Sequence, residues 1–373
     1  MANPKKILLV TRPIAPPWDE ASKNFAYYLA RNISGVEINL LTNGLVPNLP
    51  SNVRQRPIYT SNRLSWLQRA RLLKLMRIRK DFDILHFMLT PNKLNAFGFK
   101  TFIKNKKART IQTIATLRED LFQDKDYAGM LFADLIITYS DYAKNKLNGL
   151  GFNNVKRVYP GIDLDYYSPR LKDAEAMEKI GIAKQDFVVT YPGEYVRLGA
   201  TDDIVDMVIG SAEELRKRKI KIVLACRLKN DPEAIRKKAE VIERLQKNSV
   251  LDRIIFIDIF PDMAALYNLS DVIIFPVRNM RGKFDVPLAA VEPMACKKPV
   301  IVSDLPILKE FANEKNSITV HAGNTRELAD GIFDLQDHPE KRSALGEGGR
   351  EFCEENLDIK KVAAIYGKIY EKL

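Results

Sequence analysis

The chain has 373 residues, which is long for one domain and sufficient for two α/β domains of about 150–200 residues each. Its composition, 46% hydrophobic and 28% charged, is that of a globular protein and excludes wholesale disorder. The net charge of +12 favours anionic partners, namely nucleic acid, an acidic membrane surface or phosphorylated substrates, without choosing among them.

Targeting and metal signals are weak throughout the sequence. The first apolar run ends at Arg12 after about five residues, and no apolar run approaches the roughly 18–20 residues that span a bilayer, so we expect a cytoplasmic protein. Cys226, Cys296 and Cys353 are far apart and lack metal-ligand spacing. With only three histidines in addition, neither a disulfide framework nor a metal site is predicted.

The first half of the chain alternates apolar strands with helical stretches. KKILLVT (5–11) has the pattern of a parallel strand buried on both faces, and Ser22 is expected to cap a helix through NFAYYLARNI. The strand pattern repeats in VEINLLT, FDILHFML, TIQTIATL and ADLIITYS. This alternation predicts βαβ units and a parallel sheet.

A segment rich in proline, glycine and aspartate, RVYPGIDLDYYSP (157–169), interrupts this rhythm and predicts a hinge near residues 160–170. Strands then resume at DFVVTYPGE and continue through IKIVLACR, RIIFIDIF, DVIIFPV, KPVIVSD and ITVHAG. The chain from Thr325 onward has a helical pattern. We therefore predict an α/β protein with a Rossmann-like domain over 1–163, a second over 164–352, and a C-terminal helix over 353–373 that packs back on the first.

One segment in the second half carries a more specific signal than the alternation of strands and helices. DMAALYNLSDVIIFPV is followed, after a short basic loop, by FDVPLAAVEPMACKKPVIVSDLPILKE, which resembles the donor-binding domain of retaining GT-B glycosyltransferases of family four (glycosyl transferases group 1). SDYAKNKLNGLGFNNVKRVYPGIDLDYYSP resembles the family's bridge, which usually ends in an F-x-P motif. The resemblance implies two Rossmann-like domains whose parallel sheets face each other across a cleft, with the acceptor on the first and the nucleotide sugar on the second.

The resemblance also implies a donor site around Glu292. The family's Glu-x7-Glu motif places this glutamate on the two ribose hydroxyls of the nucleotide, a contact that suits a bidentate acceptor. The alternative is a first-turn helix glutamate that favours the helix dipole. The N–H groups at the start of the same helix would face the diphosphate, with Gly193 and Pro287 as further donor-side candidates.

The first glutamate of the motif is replaced by Phe284, which cannot accept a hydrogen bond. Asp285 could contact the donor sugar in its place and Lys283 could contact the diphosphate, or the two could be a solvated loop pair.

The family's arginine–lysine pair is also displaced, because Glu194 and Gly199 occupy its positions. Arg197 and Arg227 follow two strands at the edge where ligands bind in open α/β sheets, and either could supply the missing charge or be a surface arginine.

Acceptor contacts are expected on the loops of the first half. Arg12 follows the first strand, and Asp19 and Lys23 could line the acceptor site or form the exposed first turn of a helix. His86 ends a strand, where it could donate to a sugar hydroxyl or be a satisfied core histidine. Arg118 stands near the position where the family often has another histidine. On this alignment the catalytic candidates are Asp285, His86 and Arg197.

The mechanism implied by the resemblance retains the anomeric configuration, with the acceptor hydroxyl attacking on the face from which the nucleotide diphosphate leaves. Arginine and lysine would stabilise the leaving group, so neither a cofactor nor a metal is expected beyond a UDP- or GDP-linked donor. Because the motif is altered, a non-catalytic nucleotide-sugar-binding or scaffold protein of the same fold stays open, as does another GT-B enzyme.

The segment SNRLSWLQRARLLKLMRIRK (61–80) contains seven arginines or lysines and no acid, interleaved with leucines and Trp66. This composition is typical of an interfacial membrane helix, with Arg69, Arg71, Lys74 and Arg77 facing anionic lipid. We therefore expect a lipid-linked or phospholipid acceptor, the alternative being a solvated helix that covers the sheet. No nucleic-acid partner is expected, because zinc-finger and RNP-like patterns are absent from the sequence.

Overall fold

A computed structural model describes residues 4–16, 20–62, 64–77, 79–103, 107–228 and 231–373. The chain divides into two compact units. Unit 1 comprises Met1–Asp163, Gly282–Asp285 and Asn356–Leu373, and unit 2 comprises Leu164–Arg281 and Val286–Glu355. The short segment 282–285 therefore belongs to unit 1, whereas the sequence analysis placed it in the second domain.

The strands of unit 1 are β1 (Lys6–Ile14), β2 (Glu37–Thr42), β3 (Val53–Arg56), β4 (Ile84–Phe87), β5 (Arg109–Ile114), β6 (Leu135–Thr138) and β7 (Val155–Arg157). They form a parallel sheet in the order β3-β2-β1-β4-β5-β6-β7. The helices up to residue 163 are α1 (Ala21–Asn32), α2 (Trp66–Arg71), α3 (Lys93–Gly98), α4 (Asp124–Met130) and α5 (Asp141–Gly149), with 3₁₀ turns at Leu72–Arg77 and Arg79–Asp81 and a π-helical turn at Phe99–Ile103.

The predicted strands of unit 1 are confirmed because their apolar runs are buried on both faces, as in β1, where Ile7 and Leu8 are fully buried. Two local predictions are wrong. β1 continues past Arg12 to Ile14, and α1 begins at Ala21 with Glu20 as its N-cap, so Ser22 lies inside the helix rather than capping it. The edge strands β3 and β7 are short and polar, and the sequence pattern does not predict them.

The strands of unit 2 are β8 (Phe187–Gly193), β9 (Ile220–Cys226), β10 (Ile254–Ile257), β11 (Val272–Phe275), β12 (Val300–Ser303) and β13 (Ser317–Val320). They form a second parallel sheet in the order β10-β9-β8-β11-β12-β13. The helices of unit 2 are α6 (Ala174–Lys179), α7 (Ala200–Gly210), α8 (Ala212–Lys217), α9 (Pro232–Lys247), α10 (Met263–Leu269), α11 (Leu288–Ala295), α12 (Thr325–Asp337) and α13 (Pro339–Asn356), with 3₁₀ turns at Leu251–Arg253 and Leu308–Glu310.

The order of strands in unit 2 reverses at β8, which has β9 on one side and β11 on the other. In open parallel sheets such a switch point opens a crevice at the carboxyl ends of the two strands that diverge, and ligands bind there. The segment after β8, the residues that directly follow β11 and the start of α11 therefore frame the expected ligand site of unit 2. The predicted fold class, α/β with two Rossmann-like parallel sheets, is confirmed.

The last helix, α14 (Ile359–Lys372), belongs to unit 1, where it packs against α1. Its Tyr366 and Tyr370 are fully buried. The backbone at Gly161 lies close to the first residue of this helix. A Cβ on Gly161 would come within 2.8 Å of the Ile359 Cα. Glycine at 161 therefore permits the return of the C-terminal helix to unit 1.

Candidate functional site

Glu292 lies on α11, which follows the carboxyl end of β11 in unit 2. Its side chain is 8% exposed. The Tyr267 hydroxyl donates to Glu292 Oε2 at 3.1 Å, and the Tyr167 hydroxyl also donates to this carboxylate. Burial raises the pKa of Glu292 to about 7, while the two tyrosine hydrogen bonds act in the opposite direction. A buried carboxylate with hydroxyl donors can accept further hydrogen bonds from a ligand.

The two tyrosines come from different parts of unit 2. Tyr267 lies on α10 and is buried, and Tyr167 precedes α6 and is half-buried, with their ring centroids 6.2 Å apart. Burial raises the pKa of both phenols well above the ordinary value, and the negative charge of Glu292 adds to the effect. Both hydroxyls are therefore protonated donors at neutral pH. The sequence analysis did not identify either residue as part of the site.

The N-terminus of α11 is capped by Pro287, which has no N–H and no side-chain hydrogen bond to the helix. The N–H groups of Ala290 and Val291 already bond to the Pro287 carbonyl, at 3.0 and 3.3 Å. First-turn geometry leaves the N–H groups of Leu288 and Ala289 without helical partners, so these two could face an anion.

Gly193 is the last residue of β8, and its environment explains why it is glycine. A Cβ at this position would lie 2.0 Å from Cζ of Tyr191, whose ring is fully buried. Any larger residue would displace that ring. The requirement for glycine here thus comes from the chain's own packing, and a close approach of ligand is not needed to account for it.

Arg197 lies in the loop between β8 and α7, and its side chain is largely exposed. It pairs at 2.6 Å with Glu194, the residue that occupies the family's arginine position. Arg227 directly follows β9 and is half-buried. Both arginines therefore lie at carboxyl ends of strands, as predicted, and Glu194 offsets part of the Arg197 charge.

A further arginine, Arg278, follows β11 and was missed by the sequence analysis. Its backbone N–H bonds to the Leu198 carbonyl, and its guanidinium holds the buried carboxylate of Asp203 through Nε at 2.9 Å and through Nη2 at 2.5 Å. Its stem packs over Gly199, where a Cβ would come within 3.1 Å. The ion pair therefore joins α7 to the segment after β11, and the bond to the Leu198 carbonyl joins the β8–α7 loop to the same segment.

Asp285 and Lys283 lie in unit 1. The Asp285 carboxylate is buried and accepts a 2.5 Å hydrogen bond from the Ser140 hydroxyl, and its N–H donates to the Ala115 carbonyl at 3.0 Å. Phe284 packs on Tyr139 with ring centroids 5.6 Å apart. Lys283 is half-buried. The replacement of the motif's first glutamate by Phe284 thus creates an apolar contact within unit 1.

His86 is fully buried in unit 1, and both of its ring nitrogens are occupied. Nδ1 contacts the Tyr370 hydroxyl and Nε2 contacts the Thr113 hydroxyl, each at 2.7 Å, and burial lowers the pKa of the imidazole to about 3. The structure therefore corrects the catalytic assignment of His86 in favour of its alternative, a satisfied core histidine. The physical reason is α14, whose Tyr366 and Tyr370 both pack on the imidazole ring.

The acceptor-side candidates of unit 1 have separate environments. Arg12 pairs with Glu20 at 2.5 Å near the surface, and Asp19 lies outside the described residues. Lys23 is buried in α1, which contradicts its placement in an exposed first turn. Arg118 has a left-handed backbone (φ 57°) and two 2.9 Å bonds to Asp120, so its guanidinium is held within its own loop.

The basic segment is not one continuous amphipathic helix, because α2 ends at Arg71 and a 3₁₀ turn follows. Trp66 and Leu67 are exposed, at 73% and 66%, and Lys74 is also exposed. Arg69 and Arg71 are half-buried and bond to the Asn95 side chain and the Ile58 carbonyl, and the Arg77 side chain lies outside the described part. None of the helices described here is long and apolar enough to cross a membrane.

Within the described ranges, no group of three or more histidine, cysteine, aspartate and glutamate side chains is arranged to hold a metal ion. Cys226, Cys296 and Cys353 are buried and form no disulfide.

Comparison with known proteins places these features in context. Residues 187–338 match the model of a family described as Glycosyl transferases group 1. An uncharacterised glycosyltransferase of Methanocaldococcus jannaschii is 23% identical over 263 residues, covering 68% of this chain and 62% of that protein. Spore coat protein SA of Bacillus subtilis is 27% identical over 260 residues, covering 64% of each chain. The chain thus spans less than two thirds of the length of these curated relatives.

Among solved structures, the Anabaena protein HepE in complex with UDP and glucose superposes with a TM-score of 0.76 at 14% identity, covering 99% of this chain and 100% of that one. Identity this low shows the fold alone. The resemblance to GT-B-fold group 1 glycosyltransferases is confirmed by the family match together with these similarities.

Proposed function

We propose that this protein is a glycosyltransferase that moves a sugar from a nucleotide-diphosphate sugar to an acceptor hydroxyl. The observation that carries the proposal is Glu292. It is a buried carboxylate at the expected ligand edge of unit 2, inside the segment 187–338 that matches the group 1 family. Two tyrosine hydroxyls donate to it, and its remaining acceptor capacity suits the two ribose hydroxyls of a nucleotide.

In this proposal the rest of unit 2 binds the diphosphate. The first-turn N–H groups of Leu288 and Ala289 offer hydrogen bonds and the positive end of the helix dipole. Arg197 and Arg227 supply positive charge from the ends of β8 and β9. Such positive charges stabilise the negative charge that develops on the diphosphate as it leaves the transferred sugar.

The proposed contact to the transferred sugar is Asp285. Its carboxylate accepts from Ser140 and has lone pairs left for a sugar hydroxyl, and Lys283 beside it could meet the diphosphate. No step is assigned to His86, because both of its nitrogens are occupied in the core.

The first test is thermal unfolding in the presence of UDP, GDP, ADP and their common sugar conjugates, with magnesium and separately with EDTA. A ligand that binds only the folded state raises the midpoint. We expect one nucleotide diphosphate to stabilise the protein with or without metal, and UDP is the first choice because HepE was solved with UDP. Glu292→Ala should abolish the shift, whereas Glu233→Ala, an exposed glutamate in the first turn of α9, should preserve it.

Transfer itself is tested with the nucleotide sugar that stabilises the protein, by following release of nucleotide and the anomeric proton of the product. We expect retention of configuration, and inversion would contradict the mechanism implied by the family. The replacement of the motif's first glutamate by Phe284 favours one other function, a nucleotide-sugar-binding protein without turnover. Tight nucleotide binding with no release from any sugar conjugate would establish that function instead.

For the acceptor we propose a lipid-linked or phospholipid hydroxyl at an anionic membrane surface. The exposed Trp66 and Leu67 beside the basic residues of the segment 64–77 support it, because this pairing suits the headgroup region. Co-sedimentation with vesicles should increase with the fraction of anionic lipid. Trp66→Ser with Leu67→Ser should weaken it, while Leu45→Ser, at another exposed site of unit 1, should not. Co-sedimentation that ignores lipid charge would contradict the proposal.

A further inference from the structure

We propose that Tyr167 and Tyr267 are positioning residues whose hydroxyls hold the Glu292 carboxylate in the geometry that binds the donor ribose. The inference rests on the proposed function for its ligand. It goes beyond that function by assigning a role to two residues that do not themselves need to touch the nucleotide.

The first reason is geometric. Tyr267 approaches Glu292 from α10, and Tyr167 approaches it from the segment that precedes α6, so the carboxylate is held from two independent elements. Tyr267 is 2% exposed, and its ring cannot move without repacking α10 against α11. A carboxylate held in this way loses little conformational freedom when a ligand binds.

The second reason concerns which described groups interact with the Glu292 carboxylate. Among the described residues, the titratable groups that interact with Glu292 are the two tyrosines and the buried thiol of Cys296, the C-cap of the same helix. On α13, Cys353 donates to the Val291 carbonyl and Arg350 donates to the Ala295 carbonyl, so both are engaged by the α11 backbone. The two phenols therefore provide the side-chain hydrogen bonds that favour the ionised form of Glu292 within the described residues.

The consequence is a specific pH dependence. A hydrogen bond to a carboxylate favours its ionised form, so removing the Tyr167 hydroxyl raises the pKa of Glu292 above its value of about 7. Binding of two ribose hydroxyls requires the ionised carboxylate as acceptor. Donor affinity should therefore fall most at and below pH 7 and recover as the pH rises above the new pKa.

The test compares Tyr167→Phe, Tyr267→Phe and the control Tyr166→Phe by calorimetric titration with UDP and GDP between pH 6 and 9. The control loses a hydroxyl that donates to Asp262 at 2.8 Å, so it removes a tyrosine–carboxylate bond in the same segment without affecting Glu292. For Tyr167→Phe we expect affinity about tenfold lower at pH 7 and within about threefold of wild type at pH 9, because one charge-assisted hydrogen bond is lost. Tyr166→Phe should keep wild-type affinity at every pH.

Unchanged affinity in Tyr167→Phe, or a loss equal at all pH values, would overturn the positioning role. A second measurement does not depend on a ligand: the carboxyl carbon of Glu292 is titrated by NMR in glutamate-labelled protein, with Glu292→Gln to assign the signal. Its midpoint should move upward in both tyrosine variants, and an unmoved midpoint would contradict the inference. If wild type binds no nucleotide, the proposed function fails, and the NMR midpoint still decides whether the tyrosines hold the carboxylate.

Discussion

His86 in unit 1 and Glu292 in unit 2 are both buried titratable side chains, and hydroxyl groups from other elements contact both of them. Burial favours the neutral form in each case, so it lowers the pKa of His86 to about 3 and raises that of Glu292 to about 7. At neutral pH the histidine has one protonation state and no free nitrogen. The carboxylate titrates there and keeps 8% exposure on α11, at the edge of unit 2 where a ligand is expected.

The same kind of environment, burial with hydroxyl partners, therefore has different consequences for the imidazole and for the carboxylate. Around His86 the hydroxyl partners complete a core, because the imidazole has two hydrogen-bonding atoms and both are used. Around Glu292 the partners leave acceptor capacity unused, because a carboxylate has about four lone-pair sites. We therefore expect substitutions at His86 to affect stability and substitutions at Glu292 to affect binding.

The largest effect on stability is expected for His86→Ala. It leaves a cavity and removes the partner of two buried hydroxyls, so the free energy of unfolding should fall by about 3 kcal/mol. Because the folded pKa is depressed, the contribution of His86 is fully present above pH 6.5 and is lost as the pH falls toward 3. Urea denaturation should thus show the difference between variant and wild type narrowing in acid, with nucleotide affinity unchanged. A loss of affinity at full folding would contradict the assignment of His86 to the core.

Glu292→Gln should remove a pH dependence of opposite sign. The folded pKa of Glu292 is raised, so its contribution is present below pH 4.5 and is lost as the pH rises through about 7, by about 3 kcal/mol in all. The glutamine variant should therefore be more stable than wild type at pH 8 and similar to it at pH 5, while nucleotide binding is lost. Thermal unfolding of both proteins between pH 5 and 8 measures how the difference in stability grows with pH, and a difference that stays constant would mean that Glu292 does not titrate in this range.

Ser140 and Asp285 form another buried contact between a hydroxyl and a carboxylate. The Ser140 hydroxyl donates to Asp285 and accepts from the Ala143 N–H as the N-cap of α5. Ser140→Ala should cost about 1–2 kcal/mol because both bonds are lost. Ser140→Asp keeps the cap but places a like charge beside Asp285, so it should be as destabilising as alanine, whereas Ser140→Thr should approach wild type. An aspartate variant as stable as wild type in urea denaturation would show that only the cap matters.

The smallest effect is expected at Arg12, whose pair with Glu20 has side chains about one third exposed. A surface ion pair of this kind contributes little, so Arg12→Ala should change the free energy of unfolding by less than about 0.5 kcal/mol at moderate salt. If Arg12 also contacts an acceptor, the variant should raise KM without changing stability. A stability loss above 1 kcal/mol in the same denaturation experiment would mean that Arg12 contributes more than this surface pair.

The sequence by itself determined the two parallel sheets, because runs such as KKILLVT and DVIIFPV are apolar on both faces and such strands need helices on each side. It also singled out Glu292 as a candidate for the donor site, because the motif around it is local in sequence. The short polar strands β3 and β7 have no apolar run, so they form as sheet edges that a periodicity argument does not find.

The tertiary structure decided which distant side chains contact the candidate site residues. His86 could be assigned to a site or to the core from sequence, and the decision came from Tyr370, which lies 284 residues away. Ser140 and Asp285 are 145 residues apart, and Tyr267 reaches Glu292 from another helix. Local patterns report which face of an element is apolar, but they carry no information about which distant hydroxyl or carboxylate arrives at that face. That information depends on how the chain returns on itself, and it separates a satisfied core residue from one that still has bonds to offer a ligand.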